Sequence, residues 1–213
     1  MPSPIVHIEV LYQLINHYHL MVTPELLLGV ISPDAIHMRA HQTWEDKAVT
    51  HFYEQADVSF ELAIDKAKQT IRCESSDFKL GYFIHLYTDY LWRKEIYTPY
   101  FNTYKNQLIR QELHARYYRD MQRVDTILLK EAKWLEEATL KLQQIQGMNC
   151  FPLLSQDEID KWRLKVLNSD FKEKVLLDSE FEIFEMIQIR NFLQTCYEHL
   201  NLHLHQLETS NNC

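Results

Sequence analysis

Residues 75–93 read SSDFKLGYFIHLYTDYLWR and carry the strongest helix pattern of the chain. Ser75 and Ser76 are suited to cap its start, because a serine hydroxyl accepts hydrogen bonds from the free amides of a first helical turn. Gly81 lies inside the pattern, where a glycine costs about 1 kcal/mol against alanine, so we expect another backbone or a site to approach it closely. The segment is predicted to be a helix over residues 77–93 with one apolar stripe: Leu80, Phe83, Ile84, Tyr87 and Leu91.

Start signals of the same kind recur on both sides of this helix. Pro4 and Pro24 each follow a serine or threonine, which puts a proline in a first helical turn. Thr43 and Ser155 each begin a capping box, in which a hydroxyl and an acidic side chain three residues later satisfy two backbone amides. The chain is therefore predicted to be helical well beyond the central segment.

The second half is predicted to be helical over residues 99–206, with one clear break at residues 147–152. The helical region that begins at Pro99 reaches about residue 146, whole or interrupted, and residues 181–184 are the one strand candidate. Only three glycines occur in 213 residues, so few turns are available and the helices should be long. We predict one all-α domain over residues 1–213, built as a helical bundle without a sizeable sheet.

The charge balance is acidic, since 22 Lys and Arg against 30 Asp and Glu give a formal charge of −8. We therefore expect no nonspecific binding of duplex nucleic acid, which needs a basic surface. No stretch approaches roughly 18 uncharged apolar residues and no leader pattern is present, so we expect no transmembrane segment and a cytoplasmic location. The cysteines form no CxxC motif, which predicts reduced thiols: Cys73, Cys150, Cys196 and Cys213.

His85 and Asp89 form the sharpest chemical motif, H-x-x-x-D, within the central helix. Residues four apart project from one face of a helix, close enough to bind one ion or to hydrogen-bond each other. A buried histidine supported by an aspartate would explain the pair without any ligand. However, the neighbouring residues are aromatic and aliphatic, and a carboxylate in such surroundings needs a cation or several donors to offset its desolvation.

Three further residues could join that pair. Asp34 directly follows a proline on a loop between helices, where it could equally cap the next turn. His51 lies between a threonine and a phenylalanine, and His7 lies near the apolar face of the first helix. Each of the three is a weak signal when taken alone: Asp34 is explained by capping, and a histidine in the setting of His51 more often packs than binds a metal.

The order of these motifs resembles the bacterial zinc-dependent phospholipase C superfamily, whose all-helical fold single-strand nucleases share. The matching features are an early histidine, G-x-x-x-P-D ending at Asp34, a histidine seventeen residues later, and H-x-x-x-D. Residues 1–92 carry the resemblance, which is closer to small intracellular relatives of that superfamily, and residues 99–206 match it only in helical character. The resemblance implies that Asp34, His51, His85 and Asp89 surround one zinc ion, with Asp89 bridging to a second ion reached by His7.

Two departures from the superfamily pattern limit the number of ions. Secreted members use the free amino terminus of the mature chain as a ligand, and they complete a third zinc with two histidines and a glutamate after H-x-x-x-D. Here no leader is expected to expose such a terminus, the next histidine after Asp89 is His114, and no H-x-x-x-E follows it. We therefore expect one or two ions of zinc or of another divalent transition metal.

The long helical region carries one more candidate face, on which His114, Tyr118 and Asp125 lie by helical spacing. A solvated helix with intrahelical ion pairs explains this face. The alternative is that His114 or Asp125 completes a second metal site, with Tyr118 beside it, while Arg116 or Arg123 holds a phosphate. Both explanations stay open from the sequence.

A metal site of this composition indicates hydrolysis. Two histidines and two aspartates on a divalent ion leave room for water, whose pKa the ion lowers while it neutralises phosphoryl charge. The sequence therefore predicts a metal-dependent phosphoesterase for a small phosphorylated substrate, a diester or a monoester, with Asp34 and Asp89 as catalytic carboxylates. The alternative is a non-catalytic helical protein that keeps the metal, or only the polar cluster, for stability or partner binding. An HD-type phosphohydrolase is not expected, because the chain contains no adjacent His-Asp pair.

Overall fold

Helices make up most of the part of the chain that the computed structural model describes, which comprises residues 2–18, 21–52, 60–73, 75–150, 152–172 and 180–210. No β-strand occurs among those residues, and the prediction of an all-α fold is confirmed. A 3-10 segment at Ser32–Met38 follows the second helix, and π-helical turns at Arg93–Tyr97 and Val166–Asp170 extend the fifth and ninth helices. In chain order the helices are α1 (Pro4–Tyr18), α2 (Pro24–Ile31), α3 (Trp44–His51), α4 (Phe60–Thr70), α5 (Ser76–Trp92), α6 (Thr98–Tyr104), α7 (Arg110–Glu131), α8 (Leu135–Gln144), α9 (Gln156–Lys165) and α10 (Met186–Ser210).

The predicted start signals cap their helices. The Ser75 hydroxyl accepts a hydrogen bond from the Phe78 amide at 3.2 Å, directly ahead of α5. Thr43 closes a reciprocal capping box with Asp46 ahead of α3, and Ser155 begins another ahead of α9. These caps fix where α3 and α5 begin. The start of each helix in turn determines the positions of His51 on α3 and His85 on α5.

Helices α2 and α5 pack backbone against backbone at two glycines. A Cβ on Gly81 would lie 2.1 Å from the Leu26 carbonyl oxygen, and a Cβ on Gly29 would lie 2.1 Å from the Phe78 carbonyl oxygen. Both separations are far inside van der Waals contact, so any side chain at either position would push the helices apart. The close approach expected at Gly81 is confirmed, and it brings the C-terminal end of α2 against His85.

The second half settles one open point and corrects one prediction. The helical region that begins near Pro99 is interrupted and forms α6, α7 and α8. The strand predicted at residues 181–184 is wrong, because the backbone amides of residues 182–184 donate to the buried carboxylate of Asp120 at 2.6–3.1 Å. A strand needs such amides for a neighbouring strand, and here one side chain on α7 takes them.

One buried apolar cluster extends from Ile5 on α1 to Leu200 on α10 and includes residues of α2, α5, α7 and α9. Helix α1 packs against α2, α5, α7 and α10, while α9 packs against the 3-10 segment. None of the described helices is long and apolar enough to cross a bilayer. Cys213 lies outside the described residues, and the other cysteines are buried free thiols, as predicted: Cys73, Cys150 and Cys196.

Candidate metal centre

The five residues that the sequence nominates as metal ligands lie together in the interior. Each has 0–6% of its surface exposed. They belong to four elements, so no local stretch of chain could bring them together by itself. We call them the His/Asp cluster: His7 on α1, Asp34 on the 3-10 segment, His51 at the end of α3, and His85 and Asp89 on α5.

The carboxylate of Asp89 lies at the centre of the cluster. Its Oδ1 is 3.4 Å from His7 Nε2, and its Oδ2 is 3.6 Å from His51 Nε2 and 3.9 Å from His85 Nε2. On the other side, His51 Nε2 lies 3.3 Å from Asp34 Oδ1. The candidate ligand atoms form two overlapping groups that share His85, each with all its atoms within 4.8 Å of one another: His7, His85 and Asp89, and Asp34, His51 and His85.

Backbone carbonyls orient two of the imidazoles. His85 Nδ1 lies 2.8 Å from the Val30 carbonyl oxygen, which can only accept, so Nδ1 carries the proton and the lone pair of Nε2 faces the cluster. His51 Nδ1 lies 3.1 Å from the Lys47 carbonyl oxygen one turn earlier in α3. A second hydrogen bond that fixes the ring and its tautomer is typical of histidines that bind metals.

His7 is held by stacking on His85 and by the 3.4 Å contact of its Nε2 with Asp89 Oδ1. Its ring lies 3.7 Å from the ring of His85, centroid to centroid, at an interplanar angle of 9°. Nδ1 and Nε2 of His7 and Nε2 of His85 are buried and have no hydrogen-bond partner among the described residues. An unsatisfied buried polar atom costs about 1–3 kcal/mol, so these nitrogens require an explanation. A cation held between imidazole nitrogens and carboxylate oxygens supplies one, and this set of donors suits zinc and related ions.

The protonation states also fit a cation. Burial would raise the pKa of Asp89, but the contact of its Oδ1 with His7 Nε2, at 3.4 Å, outweighs burial and holds the pKa below its ordinary value. Burial would likewise raise the pKa of Asp34, and Lys47 and His51 hold it well below the usual range. Burial lowers the pKa of His85 to about 3, so this imidazole is neutral at pH 7. Two charged carboxylates and a neutral imidazole are the forms that bind a metal.

Lys47 and His37 lie beside Asp34, and the sequence did not identify either of them as a site residue. The ammonium of Lys47 is 3.4 Å from Asp34 Oδ1 and 3.2 Å from His37 Nε2. Burial lowers the pKa of Lys47, but the carboxylates of Asp34 and Asp89 outweigh burial and raise it. The available signal was the spacing of Lys47 and His51, four apart on a capped helix, which puts both on one face.

The other candidates on α7 lie outside the His/Asp cluster. His114 is half-buried, 56% of Tyr118 is exposed, and neither belongs to the metal-binding groups found in the described residues. Asp125 is buried and accepts a hydrogen bond from the hydroxyl of Ser3, immediately ahead of α1. Asp125 therefore helps to position the helix that carries His7.

The two arginines nominated for phosphate binding contact carboxylates of the protein. Arg116 lies 2.9 Å from Glu112 and 3.9 Å from Glu182. Arg123 is buried and donates to Asp120 at 2.5 Å. Both guanidinium groups thus take part in a network of ion pairs that joins α7 to the loop ahead of α10.

Comparisons with protein-family models, with curated proteins and with solved structures give no match for this chain. The resemblance to zinc-dependent phospholipases C and single-strand nucleases stays an inference from the order of motifs in residues 1–92. Independently of that resemblance, the structure brings three histidines and two aspartates from four elements into one buried cluster.

Proposed function

We propose that the His/Asp cluster binds one or two divalent transition metal ions, zinc in the first place, and that the chain is a metal-dependent phosphoesterase. One observation carries the proposal: buried nitrogens of His7 and His85 without hydrogen-bond partners among the described residues face the charged carboxylate of Asp89. Stability alone does not favour such an arrangement, because each unsatisfied nitrogen costs free energy in the ligand-free protein.

His85 belongs to both candidate ligand groups, and this limits how the ligands can be divided between two ions. His85 Nε2 has a single lone pair and can serve only one ion. Asp34 and His51, together with His85 and the nearer oxygen of Asp89, would hold the first ion. His7 and the other oxygen of Asp89 would contribute to a second, which agrees with what the resemblance implies.

The chain's own groups have distinct parts in the reaction. A divalent ion held by the cluster would supply two effects: a lower pKa of bound water and neutralisation of phosphoryl charge. Asp34 Oδ1 faces both the histidines and Lys47, so Asp34 is placed to accept a hydrogen bond from water and to orient it. Asp89 stays charged between three imidazoles and keeps the cluster attractive to cations. His7 and His85 are at most 1% exposed, so bulk water does not reach the cluster from their side.

We propose that the substrate is a small phosphorylated molecule. A buried cluster suits a group inserted from a small substrate, and the formal charge of −8 disfavours a duplex nucleic acid. The cytoplasmic location also remains part of the proposal, and the buried free thiols of Cys73, Cys150 and Cys196 agree with it.

The test compares metal content and hydrolysis in matched variants. Purified protein is stripped with chelator and reloaded with zinc, and its metal is counted by elemental analysis. Cleavage of a chromogenic phosphodiester and a phosphomonoester is then measured. His85→Ala and Asp89→Asn should lose zinc and activity together, whereas His114→Ala, a half-buried histidine outside the cluster, should keep both. Wild-type zinc content in both cluster variants would contradict the proposal.

A non-catalytic metal site is the second candidate, and the burial of the cluster favours it. The side chains of His7, His51, His85 and Asp89 are at most 1% exposed, and an ion fully enclosed by protein ligands has no position for substrate. This candidate predicts that zinc binds and raises the unfolding temperature, while neither chromogenic ester is cleaved. Cleavage that depends on zinc would exclude it.

A further inference from the structure

The open side of the His/Asp cluster is marked by a gradient of exposure. The side chains of His51 and Asp89 are 0% and 1% exposed, and that of Asp34 is 9% exposed. Beyond Asp34, Lys47 is 22% exposed and His37 is 38% exposed. A substrate that reaches the cluster from this side therefore passes Lys47 and His37 first.

The ammonium of Lys47 has capacity for another acceptor. It donates to Asp34 Oδ1 and to His37 Nε2, at 3.4 and 3.2 Å. His37 can accept because its Nδ1 lies 3.0 Å from the side-chain oxygen of Gln42 and carries the proton. An ammonium has three donors, and two have partners among the described residues, so one remains for an incoming oxygen.

The positive charge of Lys47 is unfavourable for binding a metal ion. A lysine beside a carboxylate ligand repels a divalent cation and competes with it for the carboxylate. The same positive charge is favourable once an anion binds next to the ion, because phosphoryl oxygens accept charge-assisted hydrogen bonds from ammonium groups. The position of Lys47 thus suits the anionic group of a substrate better than the cation.

We propose that Lys47, supported by His37, binds the phosphoryl anion of the substrate at the open side of the His/Asp cluster. This inference rests on the proposed function. It assigns the recognition of phosphate to α3 instead of to the arginines of α7, whose guanidinium groups contact Glu112 and Asp120. It also specifies the substrate class: the recognised group must carry an exposed phosphoryl oxygen with negative charge.

The experiment separates zinc binding from anion binding. Zinc affinity is measured by competition with a chromogenic chelator, and inorganic phosphate is titrated calorimetrically into the zinc-loaded protein. Lys47→Gln should bind phosphate about tenfold more weakly, the effect of losing one charge-assisted hydrogen bond. The same variant should bind zinc as tightly as the wild type or more tightly, because a repelling charge has been removed. Lys68→Gln, a lysine 3.5 Å from Asp65 on α4, is the control and should change neither affinity.

The outcomes distinguish anion binding by Lys47 from a role of Lys47 in supporting Asp34. If Lys47 only supports Asp34, Lys47→Gln loses zinc affinity as well, and the inference is overturned. Phosphate affinity within about twofold of wild type would also overturn it while leaving the proposed function intact. A wild-type protein that takes up no zinc would overturn both. Lys47→Met, which keeps the apolar stem and removes the charge, should reproduce the result if Lys47→Gln folds poorly.

Discussion

The His/Asp cluster and the carboxylate of Asp120 are both buried and charged, yet they differ in how far the protein supplies their hydrogen-bond partners. The Asp120 carboxylate accepts hydrogen bonds from the amides of residues 182–184 and from Arg123. In the His/Asp cluster, nitrogens of His7 and His85 have no hydrogen-bond partner among the described residues. The carboxylate on α7 is thus supplied with donors by the protein, and the cluster between α1 and α5 is not.

This difference separates a structural cluster from a candidate ligand site. A buried carboxylate with several donors stabilises the ligand-free chain, because its desolvation is offset within the protein. A cluster with missing partners lowers the stability of the ligand-free chain and regains it when a ligand binds. Mutations at Asp120 should therefore cost stability and leave metal uptake unchanged, whereas mutations in the His/Asp cluster should cost metal uptake and less stability.

The largest effect is expected for Asp120→Ala. The substitution removes the carboxylate that accepts hydrogen bonds from the amides of residues 182–184 and from the buried guanidinium of Arg123. Breaking a buried charged pair in this way should lower the free energy of unfolding by about 3–5 kcal/mol. Urea unfolding followed by circular dichroism measures the loss, and zinc uptake by the folded variant should remain at the wild-type level.

The control for Asp120 is an ion pair on the same helix that faces solvent. The side chains of Glu112 and Arg116 are 41% and 38% exposed, so Glu112→Ala should cost no more than about 1 kcal/mol. If Asp120→Ala costs as little as its control, the Asp120 cluster is not a structural anchor and the comparison fails.

The next effect in size is expected for Gly81→Ala. The new Cβ would meet the backbone of α2 at 2.1 Å, and the helices would have to separate. Such overpacking should lower the free energy of unfolding by about 1–3 kcal/mol. Zinc affinity should fall too, because the separation moves the Val30 carbonyl away from His85. Lys79→Ala on the same helix is the control, and equal losses in both variants would contradict a specific role for the glycine contact.

A smaller effect is expected from acid on the metal-free protein. The pKa of His85 is lowered to about 3 by burial, whereas it is about 6.5 in an unfolded chain. Below pH 6.5 the unfolded chain takes up a proton that the folded chain refuses, so stability falls as the pH falls. The loss should reach about 1 kcal/mol at pH 5.5. His85→Gln should remove this part of the pH dependence, and an unchanged slope in that variant would contradict it.

The part of the site that could be predicted from sequence is the part fixed by local geometry. Helical spacing alone puts His85 and Asp89 on one face, and the serine and threonine caps set where the helices begin. Gly81 was also informative, because a glycine that lowers helix propensity needs a packing reason. These inferences require no knowledge of how the helices are arranged in space.

The other parts of the site could not be predicted from the sequence, because they depend on the direction in which each helix face points in the folded protein. Spacing puts His114 and Tyr118 on a common face of α7, but it cannot say whether that face meets the cluster or the solvent. Residues 181–184, Phe-Glu-Ile-Phe, fit a short strand pattern, but the amides of residues 182–184 donate to Asp120, which lies in a distant part of the chain. Lys47 was overlooked because its significance lies in contacts with Asp34 and His37 that only the tertiary structure forms.

The smallest effect is expected for His7→Phe in metal-free protein. His7 is fully buried and stacks on His85, and neither ring nitrogen has a hydrogen-bond partner among the described residues. A phenylalanine can keep the stacking and removes the unsatisfied nitrogens, but it also removes the 3.4 Å contact of His7 Nε2 with Asp89. Because these two effects oppose each other, the free energy of unfolding should change by less than about 1 kcal/mol. Zinc content should fall by no more than the ion that His7 reaches.

The matched control is a buried aromatic side chain whose polar atom is bonded. The Tyr117 hydroxyl accepts a hydrogen bond from the Trp92 indole nitrogen at 2.7 Å, so Tyr117→Phe leaves a buried donor without its acceptor. That variant should lose about 1–3 kcal/mol, although it deletes only one oxygen atom. If His7→Phe in metal-free protein costs as much as Tyr117→Phe, the nitrogens of His7 are satisfied without a metal. The cluster would then be a structural polar core like that of Asp120, and the case for a ligand at this site would be lost.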